Sequence, residues 1–64
     1  MPLIHVEMFA GRTREQKREL AQALTETCVR VTGCAPEVVT ILFQDVDKQD
    51  WAVAGEVMAD KFPD

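Results

Sequence analysis

The chain has 64 residues, of which 7 are lysine or arginine and 11 are aspartate or glutamate, so its formal charge is −4. This length predicts a single domain over residues 1–64. The acidic balance argues against nucleic acid as a partner, because phosphates attract basic surfaces. No apolar run approaches the roughly 18 residues of a membrane-spanning helix, so no membrane partner is predicted. The sequence is typical of a compact cytoplasmic domain.

A domain this small needs a source of stability beyond its own core, because it buries only about 60% of the surface of its unfolded chain. Cys28 and Cys34 come without a signal peptide that would indicate an oxidising compartment, so we expect no disulfide. These cysteines and the distant His5 also lack the spacing of zinc ligands, and no metal is predicted. Association of subunits is then the remaining source of stability, and a hydrophobic fraction of 47% favours it.

The first predicted elements are a strand and a helix. Side chains of Leu3–Phe9 alternate as in a strand. Thr13 and Gln16 then have the spacing of a capping box, so we expect a helix from Arg14 that ends before Gly33. Its predicted apolar stripe steps by three and four residues and comprises Leu20, Ala21, Leu24, Cys28 and Val31.

The second half of the chain predicts a further strand at Val38–Val46, apolar on both faces over its first half, as in a buried parallel strand. A polar turn at Lys48–Asp50 precedes a small hairpin that begins at Trp51. The predicted fold class is therefore α/β: a single βαβ unit with a parallel two-stranded sheet and a short C-terminal hairpin.

This architecture predicts a homo-oligomer. One helix covers only one face of a two-stranded sheet, and the opposite face carries apolar side chains that would meet water in a monomer. We expect that face to pack against another copy of the chain.

Pro2 is the first candidate for chemistry. It follows the initiator Met1, and cells commonly remove a methionine that precedes a small residue such as proline. Removal would leave a secondary amine, and apolar surroundings lower the pKa of an amine so that it can act as a general base. The alternative is that Pro2 merely begins a strand, where a missing N–H does little harm. If Met1 is retained, the nitrogen is an amide and cannot act as a base.

Three segments in this order resemble the 4-oxalocrotonate tautomerase family: Pro2 at the start of a strand, Gly11-Arg12-Thr13 followed by Glu15–Lys17, and Trp51–Gly55. The likeness covers nearly the whole chain. It implies a cofactor-independent isomerase that interconverts enol and keto forms of 2-oxo acids such as 2-hydroxymuconate. It also implies a homohexamer.

The resemblance implies a role for each matching residue. Pro2 would be the general base, and Arg12 would bind a substrate carboxylate, for which a guanidinium fork is suited. Trp51 would form an aromatic wall of the pocket. Phe9 and Val53 align with apolar pocket positions.

Thr40 departs from the family pattern. The best-known members carry a second arginine at this position, which polarises the substrate carbonyl and contacts its other carboxylate. A hydroxyl supplies a hydrogen bond but no charge, so we expect a monoacid substrate or an arginine from elsewhere, such as Arg30 or Arg14 of a neighbouring subunit.

Two other functions stay open. Related enzymes use the cationic proline as an acid for hydration, dehalogenation or decarboxylation, which usually needs a further carboxylate to activate water. The second of these functions is that of a non-catalytic oligomeric module, which applies if Met1 is retained. Asp45, Asp47 and Asp50 have the spacing of solvated turn residues and lack the glycine and distal glutamate of a calcium loop.

Overall fold

The computed structural model describes residues 2–63, so Met1 and its removal lie outside the described residues. The chain forms the predicted α/β fold, a βαβ unit followed by a hairpin. The elements in order are β1 (Leu3–Phe9), α1 (Arg14–Thr32), β2 (Thr40–Val46), β3 (Ala52–Val53), β4 (Glu56–Val57) and α2 (Met58–Lys61).

Strands β1 and β2 pair in parallel, in a register that runs from Leu3 opposite Thr40 to Phe9 opposite Val46. The predicted start of β2 at Val38 is wrong, because residues 36–38 form a 3-10 turn before the strand. Pro36 stands at the first position of that turn, where its missing N–H has no partner to lose and its fixed φ suits a helical turn.

The helix α1 begins and ends where the sequence predicts. The Thr13 hydroxyl accepts a hydrogen bond of 3.1 Å from the backbone N–H of Gln16, and the Gln16 side chain accepts one of 2.9 Å in return. At the other end Gly33 has a φ of 77°, which a side chain would disfavour, and its N–H donates to the Val29 carbonyl at 2.9 Å.

The apolar stripe of α1 is half-buried, except for its last predicted member. Val31 is 68% exposed, so its assignment to the stripe is wrong. A 19-residue helix is about 28 Å long, whereas a seven-residue strand spans only about 20 Å between its end residues. The last turn of α1 therefore extends past the sheet.

The C-terminal segment forms the predicted hairpin and one element that was not predicted. Ala54 and Gly55 connect β3 to β4 with φ angles of 53° and 84°, as in the type I′ turn of a two-residue loop. The short helix α2 follows at once. Its first residue, Met58, is the only buried apolar side chain among residues 2–63.

The sheet has an open face that α1 does not cover. Six of its eight side chains on β1 and β2 are exposed, namely Leu3, His5, Glu7, Thr40, Leu42 and Gln44, and the last pair, Phe9 and Val46, is half-buried. The accessible surface is 4957 Å², against about 4,100 Å² for a folded monomer of this mass. The radius of gyration is 14.8 Å, against about 11 Å for a compact chain of this length. A single copy therefore exposes more surface to water than a compact monomer of the same size does.

Candidate active site

An aromatic pair marks the end of the sheet at which β1 and β2 terminate. The ring centroids of Phe9 and Trp51 lie 4.6 Å apart, with the ring planes at 61°, an edge-to-face contact. Phe9 is the last residue of β1, and Trp51 follows the turn after β2. Both side chains are half-buried, so the pair forms a fixed apolar wall at this edge.

The backbone around Trp51 is held on both sides. Its N–H donates to the Lys48 carbonyl at 3.4 Å, and its own carbonyl accepts from the Met58 N–H at 2.7 Å. The turn before it is closed by Asp47, whose carboxylate accepts from the Gln49 N–H at 3.0 Å. This local capping explains why the chain reverses directly after β2 and returns Trp51 to the end of β1.

Arg12 borders an open depression of about 480 Å³ next to this wall. The lining consists of Phe9, Ala10, Arg12, Lys48 and Phe62. It contains two cationic side chains, two aromatic rings and no carboxylate. Such a depression is suited to a small organic anion, with the charge on the cations and the carbon skeleton against the rings.

A second depression borders Trp51, whereas the first borders its partner Phe9. It measures about 280 Å³ and is lined by Glu7, Val46, Asp50, Trp51 and Ala52. Its two carboxylates give it the opposite charge from the first depression. Trp51 and Phe9 thus separate an acidic surface from a basic one.

Pro2 and Thr40 lie at the opposite end of the sheet. The Thr40 N–H donates to the Pro2 carbonyl at 3.0 Å, so the two residues are neighbours across the strands. The seven residues of β1 separate them from Arg12, a distance of at least about 20 Å along the strand. One copy of the chain therefore does not bring the predicted base and the predicted carboxylate-binding residue together.

Val53 lies apart from both groups in one copy. It is 55% exposed on β3 and lines neither the depression beside Phe9 nor the one beside Trp51. The structure thus gathers Phe9, Arg12 and Trp51 at one end, pairs Pro2 with Thr40 at the other, and leaves Val53 on the hairpin.

Three lining residues were not predicted as site residues from the sequence: Ala10, Lys48 and Phe62. Lys48 was assigned to a polar turn, and no role was predicted for Ala10 or Phe62. The available signal is topological: Lys48 follows β2 as Arg12 follows β1, and the carboxyl ends of parallel strands meet at the same edge of a sheet. Phe62 depends on α2, which was not predicted.

One candidate acid has a structural use instead. Asp45 does not lie in a turn, as its spacing predicted, but in β2, where its carboxylate pairs with the Lys17 ammonium of α1 at 2.9 Å. Cys28 and Cys34 are both free thiols. Within residues 2–63, no three His, Cys, Asp or Glu side chains cluster as metal ligands would. Neither described helix has the length and apolar character to cross a membrane.

Comparison with known proteins identifies the family to which the chain belongs. The model of the tautomerase family, described as tautomerase enzyme, matches residues 2–61. The chain belongs to this family of isomerases, as the resemblance implied.

The most similar relatives include the 2-hydroxymuconate tautomerase of Bacillus subtilis, 38% identical over 60 residues, which cover 94% of this chain and 97% of the relative. A 4-oxalocrotonate tautomerase isozyme from Methylibium petroleiphilum superposes with a TM-score of 0.91 at 37% identity, covering 94% of both chains. A heterohexameric 4-oxalocrotonate tautomerase from Chloroflexus aurantiacus superposes with a TM-score of 0.88 at 36% identity, covering 92% of this chain and 95% of the other.

Proposed function

We propose that this tautomerase interconverts the enol and keto forms of unsaturated 2-oxo acids such as 2-hydroxymuconate, with Pro2 as general base and Arg12 as the carboxylate-binding residue. The observation that carries the proposal is the position of Arg12, whose guanidinium borders an aromatic-walled depression without any carboxylate in its lining. The similarity to a 2-hydroxymuconate tautomerase supports the same substrate class.

The chemistry moves one proton and needs no cofactor. The Pro2 nitrogen takes the proton from the enol hydroxyl, and the electrons of that O–H bond form the new carbonyl. The π electrons shift along the conjugated chain to a carbon, which then takes the proton back from the Pro2 nitrogen. Every atom of the substrate is retained, so the reaction is an isomerisation.

Around the reacting atoms, each remaining site residue has a binding role in this proposal. Arg12 holds one carboxylate through two parallel hydrogen bonds. Phe9 and Trp51 exclude water from the carbon skeleton, and Val53 adds apolar contact. Thr40 lies beside Pro2 and donates one hydrogen bond to the substrate through its hydroxyl.

Such a site needs two or more copies of the chain, because Pro2 and Arg12 lie at opposite ends of β1. The exposed surface supports this: Leu3 and Leu42 on the open face are 63% and 51% exposed. The excess over a folded monomer is about 800 Å², which matches the area that one partner contributes to a standard interface. We therefore propose a homo-oligomer, and the heterohexameric relative favours a hexamer.

The direct test is ultraviolet-monitored ketonisation of 2-hydroxymuconate by tag-free protein, with intact mass measured to establish whether Met1 is absent. We expect a chain with extra residues before Pro2 to lose kcat/KM about a hundredfold or more, as removal of a general base does, because its nitrogen is then an amide. Pro2→Ala should lower kcat/KM by less, because its amino-terminal amine is still a base. Full activity of the extended chain would exclude Pro2 as the base.

A further inference from the structure

Lys48 and Arg12 lie at the same edge of the sheet for a topological reason. Arg12 follows the end of β1 by three residues, and Lys48 follows the end of β2 by two. Since β1 and β2 are parallel and in register through Phe9 and Val46, both cations emerge at the same edge. Their side chains line the same depression of about 480 Å³.

No acidic side chain neutralises this pair within the lining. Among residues 2–63 the ion pair that forms is Lys17–Asp45, and Asp47, the nearest acid in sequence to Lys48, directs its carboxylate to the Gln49 N–H. Two positive charges thus share one depression in a chain of formal charge −4. A site whose lining contains two cations and no carboxylate favours an anion with two negative groups over one with a single group.

The Lys48 ammonium is held in place by a hydrogen bond and still has N–H donors available for a ligand. Its Nζ donates to the Phe62 carbonyl at 3.1 Å, and the side chain is half-buried. An ammonium has three N–H donors, so two remain for a ligand. Anchoring by a neutral carbonyl fixes the position of the charge without cancelling it.

We propose that Lys48 is the residue that binds the second carboxylate of a dicarboxylate substrate, opposite the carboxylate held by Arg12. Lys48 thereby supplies the charge that Thr40 lacks, and makes the site selective for dicarboxylates over monocarboxylates. This inference rests on the proposed function for its substrate class, although the binding it describes is measurable without turnover.

The binding experiment uses two unreactive acids of equal length, adipate with two carboxylates and hexanoate with one. Trp51, the single tryptophan of the chain, provides a fluorescence signal next to the site, because its ring centroid lies 4.6 Å from that of Phe9 in the lining. We expect Lys48→Gln to weaken adipate binding about tenfold, the effect of one hydrogen bond to a charged group. Hexanoate binding should change less than twofold, and Lys48→Arg should retain adipate binding.

Lys61→Gln is the matched control. It removes the same charge from α2, but Lys61 is exposed, lies with its Nζ 5.7 Å from the Phe62 ring centroid, and does not line the depression. We expect it to alter adipate binding less than twofold. Equal effects of Lys48→Gln and Lys61→Gln would mean that only overall charge matters, and would overturn the proposal.

Turnover separates this inference from the proposed function. With 2-hydroxymuconate and the monocarboxylate phenylenolpyruvate as substrates, Lys48→Gln should raise KM for the first and leave kcat/KM for the second within twofold. Equal losses on both substrates would indicate a structural role through Phe62 and would contradict the inference. Should the unaltered protein turn over neither acid while adipate selectivity still depends on Lys48, the proposed reaction fails and the dicarboxylate site stands.

Discussion

The backbone N–H of Thr40 donates a hydrogen bond of 3.0 Å to the carbonyl of Pro2. Thr40, where the family resemblance leads us to expect an arginine, therefore lies directly beside the proposed catalytic amine, in the same copy of the chain. Thr40 is exposed in one copy and its Cα faces that of Leu3, so a longer side chain at this position would start beside Pro2.

Thr40→Arg should raise kcat for 2-hydroxymuconate several-fold, because a guanidinium next to Pro2 stabilises the negative charge that develops on the substrate oxygen. Gln22→Arg is the control for added charge, since it places the same charge on an exposed position of α1, away from the open face of the sheet. Steady-state kinetics of both variants tests this. An unchanged or lower kcat in Thr40→Arg would show that the hydroxyl is not standing in for a cation.

Arg12 should act on substrate binding through its forked geometry as well as its charge. We expect Arg12→Gln to raise KM for 2-hydroxymuconate about tenfold or more, and Arg12→Lys to recover only part of that loss, because an ammonium does not form two parallel hydrogen bonds. Arg18→Gln, an exposed site within α1, is the control for lost charge. If Arg12→Lys restores KM completely, charge alone accounts for its role.

The contact between Phe9 and Trp51 predicts different results for two substitutions of the tryptophan. Trp51→Phe should keep most of the activity, since a smaller ring still meets Phe9 edge to face. Trp51→Ala should lower kcat/KM at least tenfold, because it opens the wall between the basic and acidic depressions and admits water. Kinetics on 2-hydroxymuconate, with circular dichroism as the check on folding, distinguishes a pocket role from a purely structural one. Equal activity of the two variants would contradict the pocket role.

A charge on the open face should prevent assembly. Leu42→Glu places a carboxylate at a half-exposed apolar position that the proposed oligomer buries, and a buried unpaired charge costs several kcal/mol. We expect this variant to sediment as a smaller species and to lose activity. Ala23→Glu, on the exposed outer side of α1, should behave as the unaltered protein. Normal assembly of Leu42→Glu would place the interface elsewhere.

The features that the sequence predicted well depend on neighbouring residues. The Thr13–Gln16 capping box and Gly33 set the ends of α1 through contacts within a few residues, so their spacing was sufficient. The start of β2 was misplaced because β-branched Val38 and Val39 favour a strand, whereas Pro36 imposes a turn of its own.

The parts of the site that the sequence did not predict depend on contacts between distant residues. Lys48 and Phe62 are 14 residues apart, and their hydrogen bond exists only because α2 folds back against the turn after β2. The pairing of Phe9 with Trp51 spans a still longer stretch of chain and was not predicted, although the resemblance to a known family implied that each of them lines the pocket. Periodicity contains no information about such contacts.

The placement of Pro2 and Arg12 at opposite ends of one seven-residue strand has a kinetic consequence for the proposed enzyme. In a freshly synthesised chain, Pro2 and Arg12 are too far apart to act on the same substrate molecule. The single chain is therefore inactive until it assembles with other copies. Specific activity should then fall on dilution below the dissociation constant of the assembly. A mixture of chains inactivated at Pro2 and chains inactivated at Arg12 should recover part of the lost rate, because some mixed assemblies contain one intact site.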